Sequence, residues 1–303
     1  MAVTAAMVKE IRERTGAGMM DCKKALTETD GDMDKAIEIL REKGLAKAAK
    51  KSGRIAAEGL INLKTSDNGD KAIVVEVNSE TDFVAKNEEF KAFVNDVAEL
   101  LLNSDIATVE ELLSADLNGI TVQEMLNNKI SKIGENMNIR RFERFNTPST
   151  VNVGYIHGGG RIGVIVELAT EAAYNEVEAL GKDIAMQIAA MNPKYISEAD
   201  VDQAYIENEK KILTQQALNE GKPEAIVEKM VVGRLKKELK QVCLLDQAFV
   251  KDGDINVGQY VKNCGKDLGK DIKVNRMVRF EIGEGIEKKE ENFADEVAKQ
   301  INN

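Results

Sequence analysis

One stretch of this chain occurs twice, 91 residues apart, and the repeat falls where a strand gives way to a helix. Ile73-Val74-Val75-Glu76-Val77-Asn78-Ser79-Glu80 runs into Thr81-Asp82-Phe83-Val84, and Val164-Ile165-Val166-Glu167-Leu168-Ala169-Thr170-Glu171 runs into Ala172-Ala173-Tyr174-Asn175. A chain that repeats such a junction in constant register must build two related units that mix sheet and helix. The scaffold does not need Asp82, because the second copy manages with Ala173 at that place. An acid beside an aromatic in a strand-to-helix turn is therefore a candidate for function.

The rest of each unit repeats in order. Leu60 to Leu63, the turn Asp67-Asn68-Gly69-Asp70 and Ile73 to Val77 read as a hairpin, Asn-Gly between alternating runs being a strong turn signal. Val151 to Ile156, the turn Gly158-Gly159-Gly160 and Gly163 to Leu168 make its twin. Helices follow, with Phe90, Phe93, Val94, Val97 and Leu101 on one face of the first and Val177, Leu180, Ile184 and Ile188 on the second. A further helix runs from near Thr121 to Gly134, and Met137 to Phe145 reads as a third strand. Ile120-Thr121-Val122 matches Ile255-Asn256-Val257, and Arg141-Phe142-Glu143 resembles Arg279-Phe280-Glu281. The fold class is α+β, with a duplicated core of two small antiparallel-sheet and helix subdomains.

Other segments decorate this core. Residues 1–54 read as three short helices: Met7, Val8 and Ile11 on the first, Met19, Cys22 and Leu26 on the second. A third is N-capped by Asp32, carries Ala36, Ile37 and Leu40, and closes at Gly44. From Ser197 to Leu245 the pattern is helical and charged, broken only at Gly221-Lys222-Pro223, as in a helical hairpin. One arm of this projecting coil presents Val201, Tyr205, Ile212 and Leu213, and the other Ile226, Val227, Met230 and Leu235. Phe293, Val297 and Ile301 share a face of a last short helix. The divisions expected are 1–54, a helical module with a basic linker; 55–145, the first core subdomain; 146–196 with 246–288, the second; 197–245, the coiled-coil insertion; and 289–303, a C-terminal helical module.

Composition removes several classes of function. Net charge is −10, a poor prior for general nucleic-acid binding. One segment runs against it: Arg41 to Arg54 holds Arg41, Lys43, Lys47, Lys50, Lys51 and Arg54 against Glu42. It reads either as an arm for RNA or the ribosome or, the blander reading, as a solvated Ala-rich helical linker. Three separated cysteines and one histidine, His157, exclude a disulfide framework, a thiolate zinc site and multi-histidine metal chemistry, and fit a cytoplasmic protein. No apolar run reaches membrane-spanning length.

Enzyme signatures can be half-read, and each breaks. Gly158 to Gly163 satisfies GxGxxG but precedes a strand where a helix is required. His157-Gly158-Gly159-Gly160 mimics an oxyanion loop without any G-x-S-x-G nucleophile. Asp30-Gly31-Asp32-Met33-Asp34 starts like a calcium loop, then has Lys35 and Arg41 where the sharp-turn glycine and the bidentate glutamate belong. No catalytic constellation and no cofactor site emerges.

The assembled segments resemble the bacterial elongation factor Ts family over essentially the whole chain. The resemblance is carried by Arg14-Thr15-Gly16-Ala17-Gly18-Met19-Met20-Asp21-Cys22-Lys23-Lys24-Ala25-Leu26 and Thr81-Asp82-Phe83-Val84-Ala85-Lys86-Asn87. Lys132-Ile133-Gly134-Glu135-Asn136, Asn138-Ile139-Arg140-Arg141, His157-Gly158 and Arg161-Ile162-Gly163-Val164 add to it. The resemblance implies a guanine-nucleotide exchange factor for elongation factor Tu, with an N-terminal three-helix module like a ubiquitin-associated domain and no covalent catalysis. It implies that Thr81, Asp82, Phe83 and Val84 enter the GTPase beside its magnesium and phosphates, and that Met19, Met20, His157 and Phe293 make further contacts. It also links the coiled-coil arm to homodimerisation.

Each residue keeps a plainer alternative. Phe83 could begin the apolar face of the next helix, as Tyr174 in the second copy suggests, and Asp82 could be a helix N-cap. Met19 and Met20 cannot both face one small core, so one should be exposed. His157 reads as a turn residue at a contact surface. Two rival functions stay open: an RNA-associated protein using Arg41 to Arg54, or a ubiquitin-like-fold binder using residues 1–54 alone.

Overall fold

A buried strand that runs into a helix appears twice in the computed structural model, which describes residues 3–15 and 17–287. Helices α1 (Ala5–Thr15), α2 (Met19–Glu28) and α3 (Met33–Ala49) come first. The first repeat then runs β1 (Glu58–Thr65), β2 (Ala72–Ser79), α4 (Asp82–Ala85), α5 (Glu88–Leu102), α6 (Val109–Ser114), β3 (Asp116–Leu117), β4 (Ile120–Thr121), α7 (Val122–Ile133) and β5 (Met137–Phe145). The second runs β6 (Thr150–His157), β7 (Ile162–Thr170), α8 (Tyr174–Met191), the arm α9 (Gln203–Asn219) and α10 (Glu224–Val242), β8 (Ala248–Phe249), β9 (Asp252–Asn256), α11 (Val257–Leu268) and β10 (Ile272–Glu281). Sheet orders are β1-β2-β5 and β6-β7-β10, so in each copy the third strand joins the second.

The match extends to the caps. Thr121 caps α7 and Asn256 caps α11, each in a reciprocal capping box, with Glu124 and Gln259 as the returning side chains. Gly134 and Gly269 end those helices in left-handed conformation. The α+β class and the duplication stand as read from the sequence.

Two compact units divide the chain: residues 1–62, 75–142 and the segment from 281 form one, residues 63–74 and 143–280 the other. In the second unit, β6 and β7 pair antiparallel from Thr150↔Ala169 to His157↔Ile162. Val151, Val153, Val164, Val166 and Leu168 from these strands pack on Val177, Leu180, Ile184 and Ile188 of α8. The turn between β1 and β2 belongs to this unit because the Gly69 carbonyl accepts from the Asn152 backbone N–H (2.8 Å) and side-chain amide (3.0 Å). Gly69 has φ +72°, and a Cβ there would stand 2.5 Å from Tyr174 Cδ2 and 3.1 Å from Val151 Cγ1. Gly69→Ala should therefore lose about 2 kcal/mol of stability in chemical denaturation, the cost of overpacking. An unchanged midpoint would mean the Tyr174 ring is not held against this turn.

The N-terminal bundle closes over Ile11, Cys22, Ala25, Leu26, Ala36 and Leu40. Asp32 caps α3 by accepting from the Lys35 N–H at 3.1 Å, as its position predicts. Gly44 does not close the helix. Helix α3 continues through it to Ala49, because one glycine costs about 1 kcal/mol and Ala46, Ala48 and Ala49 are strong helix formers. Most charges of the basic segment meet partners within the chain: Arg41 pairs with Glu124, Lys43 with Glu28, Lys47 with Asp21 and Arg54 with Glu80, while Lys51 donates to the Ile130 carbonyl.

In the arm, Val201, Tyr205 and Leu213 meet Leu235, Leu239 and Val242, and Ala217 packs on Val227 and Val231. Ile212 and Ile226, also on these arms, lie off this seam. They stand 42% and 46% exposed, because the contact stripe passes through Tyr205, Leu213 and Ala217 on one helix and Val227, Val231 and Leu235 on the other. Helix α10 begins just after Pro223, as the Gly-Lys-Pro break predicts. Phe293 and the expected helix at 289–303 lie outside the described residues.

Candidate functional site

Strand β2 is buried along its whole length and ends at Ser79, whose hydroxyl donates to the Thr81 carbonyl at 3.0 Å. Thr81, not Asp82, is the N-cap of α4: its hydroxyl oxygen accepts from the Val84 N–H at 3.5 Å. Asp82 is the first helical residue, where a carboxylate complements the helix dipole, and it pairs with Lys86 one turn on, at 2.6 Å. Val84 and Ala85 are buried and anchor the turn, whereas Phe83 is 80% exposed. Asn87 then caps α5, and the buried face of that helix begins at Phe90. Phe83 is thus not the first residue of that apolar face.

The second copy resolves the same aromatic differently. Tyr174 opens α8, is partly buried against the core of its unit and lies over Gly69. Burial pushes its phenol up, and the nearby Glu178 carboxylate adds to that. Burying a phenylalanine is worth about 1.5–3 kcal/mol. The fold takes that gain at Tyr174 and forgoes it at Phe83.

Met19 and Met20 open α2 and are 59% and 64% exposed. As expected, the two do not both face the core; neither does, because the bundle core is completed by Cys22, Ala25 and Leu26, leaving the first turn of α2 clear of it. His157 ends β6, exposed, with the Tyr155 hydroxyl 2.9 Å from its Nδ1. Gly158, Gly159 and Gly160 follow with φ of +60°, +66° and +98°, the turn their sequence announces. Thr81 to Val84 thus share one turn of the first unit, Met19 and Met20 stand on another helix of that unit, and His157 belongs to the second unit.

Two groups escaped sequence reasoning. Glu135 accepts both the backbone N–H (2.9 Å) and the hydroxyl (2.7 Å) of Thr81. Glu76 is fully buried on β2 and accepts from Gly283 N–H, Asn78, Arg140 and Arg141 at 2.9, 3.1, 3.0 and 2.6 Å. The signal for Glu76 was available: a charge inside an apolar strand, repeated as Glu167 in the second copy. Among the described residues no cluster of three or more His, Cys, Asp or Glu is arranged to hold a metal. No described helix is long and apolar enough to cross a membrane.

Phe83 and Asp82 thus stand side by side in solvent on a turn held by the buried Val84 and Ala85. The family model described as "Elongation factor TS" matches residues 80–284. "Elongation factor Ts" of Clostridioides difficile (strain 630) is 61% identical over 300 residues, covering 99% of both chains. That of Clostridium perfringens (strain SM101 / Type A) is 62% identical over 298 residues, 98% of both, and that of Clostridium kluyveri is 56% identical over 304 residues. The chain belongs to the elongation factor Ts family, and is thereby a translation elongation factor.

Proposed function

We propose that this protein is the guanine-nucleotide exchange factor for elongation factor Tu in the cytoplasm. It docks on the GDP-bound GTPase and places Asp82 and Phe83 against the magnesium and phosphate site, so that GDP leaves and GTP can bind. The observation that supports this most is Phe83, 80% exposed on a turn whose neighbours Val84 and Ala85 are buried. Magnesium demands near-ideal octahedral geometry, so a small displacement of the loops around it weakens nucleotide binding sharply. A rigid aromatic wedge supplies the displacement. Asp82, already able to hold the Lys86 ammonium, supplies acceptor oxygens for the donors displaced. Met19, Met20, His157 and Phe293 extend the contact on the GTPase.

No bond is made or broken in such a step. Exchange is a coupling of two binding events, and the coupling is reciprocal. If bound exchange factor weakens GDP by a given factor, GDP weakens the exchange factor by the same factor. Calorimetric titration of the protein into nucleotide-free elongation factor Tu and into the GDP complex should give affinities that differ by that factor. Equal affinity for the two forms would remove exchange as the function.

A further inference from the structure

Helix α4 is four residues long, far too short to be stable by itself. Something outside it must fix the direction in which Phe83 points. The two oxygens of Glu135 take the two donors of Thr81, Oε2 the backbone N–H at 2.9 Å and Oε1 the hydroxyl at 2.7 Å. With its proton given to Glu135, the Thr81 hydroxyl turns a lone pair toward the Val84 N–H and starts α4. The neighbouring residues return the arrangement: Glu80 Oε1 accepts from the Asn136 N–H at 2.5 Å and from Arg54 at 3.5 Å. The Asn136 amide in turn donates to the Arg54 carbonyl at 2.7 Å. Gly134 makes this possible, since its left-handed conformation (φ +95°) ends α7 and turns Glu135 and Asn136 toward β2. All of these groups lie in one unit.

We propose that Glu135 is a positioning residue for nucleotide exchange: its carboxylate clamps Thr81 and so sets the angle at which Asp82 and Phe83 are presented to the GTPase. The inference rests on the exchange reading given above. A plain stabilising role for the same carboxylate predicts a different set of observations. Positioning acts on the step in which the wedge enters, so its loss lowers the maximal rate of GDP release and leaves docking through the other contacts in place.

The test uses the full chain with Glu135→Gln and Glu135→Ala. Gln keeps the shape and one acceptor oxygen but turns an amide donor toward a donor of Thr81, so it should be intermediate. The maximal rate of fluorescent GDP release from elongation factor Tu should fall about tenfold in the alanine variant and about threefold in the glutamine variant, misplacement of a rigid group being costly. The concentration giving half that rate should change less than twofold. Hydrogen exchange should quicken in the peptide spanning residues 80–85 and stay unchanged in α5. Full maximal rate in both variants would overturn the proposal, as would a rate loss accompanied by faster exchange throughout the unit. A wild type that fails to release GDP would instead remove the exchange reading itself, and Asp82→Ala/Phe83→Ala, assayed alongside, reports separately whether the wedge matters.

Discussion

The Asp82→Ala/Phe83→Ala variant should fold like the wild type and lose most of the acceleration of GDP release. Phe83 is 80% exposed, and removing an exposed side chain changes stability by less than about 0.5 kcal/mol. The ion pair of Asp82 with Lys86 is solvated, with the two side chains 49% and 73% exposed, so its loss matters little to folding. The contribution of the pair lies in the complex. An aromatic anchor driven between elements of a partner is worth about 2 kcal/mol or more, close to thirtyfold in rate if it is realised only as the nucleotide leaves. Circular dichroism and thermal unfolding should match the wild type while release slows by that factor. Unchanged release would move the mechanism to another part of the interface.

Glu76→Gln should destabilise the first unit by about 3 kcal/mol at neutral pH, the cost of breaking a buried ion pair from one side. Glu76 is completely buried, and the substitution leaves Arg140 and Arg141 facing an amide. Burial alone would push this carboxyl up. The Gly283 N–H, Arg141 and Asn78 outweigh it and hold the group below its ordinary value of 4.5. A depressed folded value means that the unfolded chain takes up the proton first as acid is added. The contribution of Glu76 is therefore complete above pH 4.5 and is lost as pH falls through the lower folded value. Urea unfolding of wild type and variant from pH 7 to pH 3 should give stabilities that differ at neutral pH and converge in acid. Parallel curves would show that this carboxylate does not carry the acid sensitivity.

Much of this fold was written in local sequence. Asn68-Gly69 and the triple glycine at 158–160 name their turns through backbone conformations that other residues resist. Thr121 with Glu124 and Asn256 with Gln259 announce two helix starts by the spacing of their capping boxes. Repetition then tied those local signals into two units. What stayed hidden depends on contacts between distant segments. Whether Phe83 packs or is exposed cannot be read from its neighbours, because the outcome turns on what lies beside it. Tyr174 finds Gly69 more than a hundred residues earlier, whereas Phe83 stays in solvent. The clamp of Glu135 on Thr81 is equally non-local, joining residues 54 apart. Gly44 misled for the opposite reason: a local stop signal was overridden by the helix formers that follow it. Both methionines at the start of α2 proved exposed, since periodicity fixes a face but not where the core beneath it ends.

Exchange through the Asp82-Phe83 turn is tested most directly by stopped-flow release of a fluorescent GDP from elongation factor Tu, chased with unlabelled GTP. The wild-type protein should raise the release rate with concentration to a plateau, and Asp82→Ala/Phe83→Ala should bind and reach a plateau about thirtyfold lower. A correctly folded wild type that binds elongation factor Tu and leaves the release rate at its unassisted value would contradict the account.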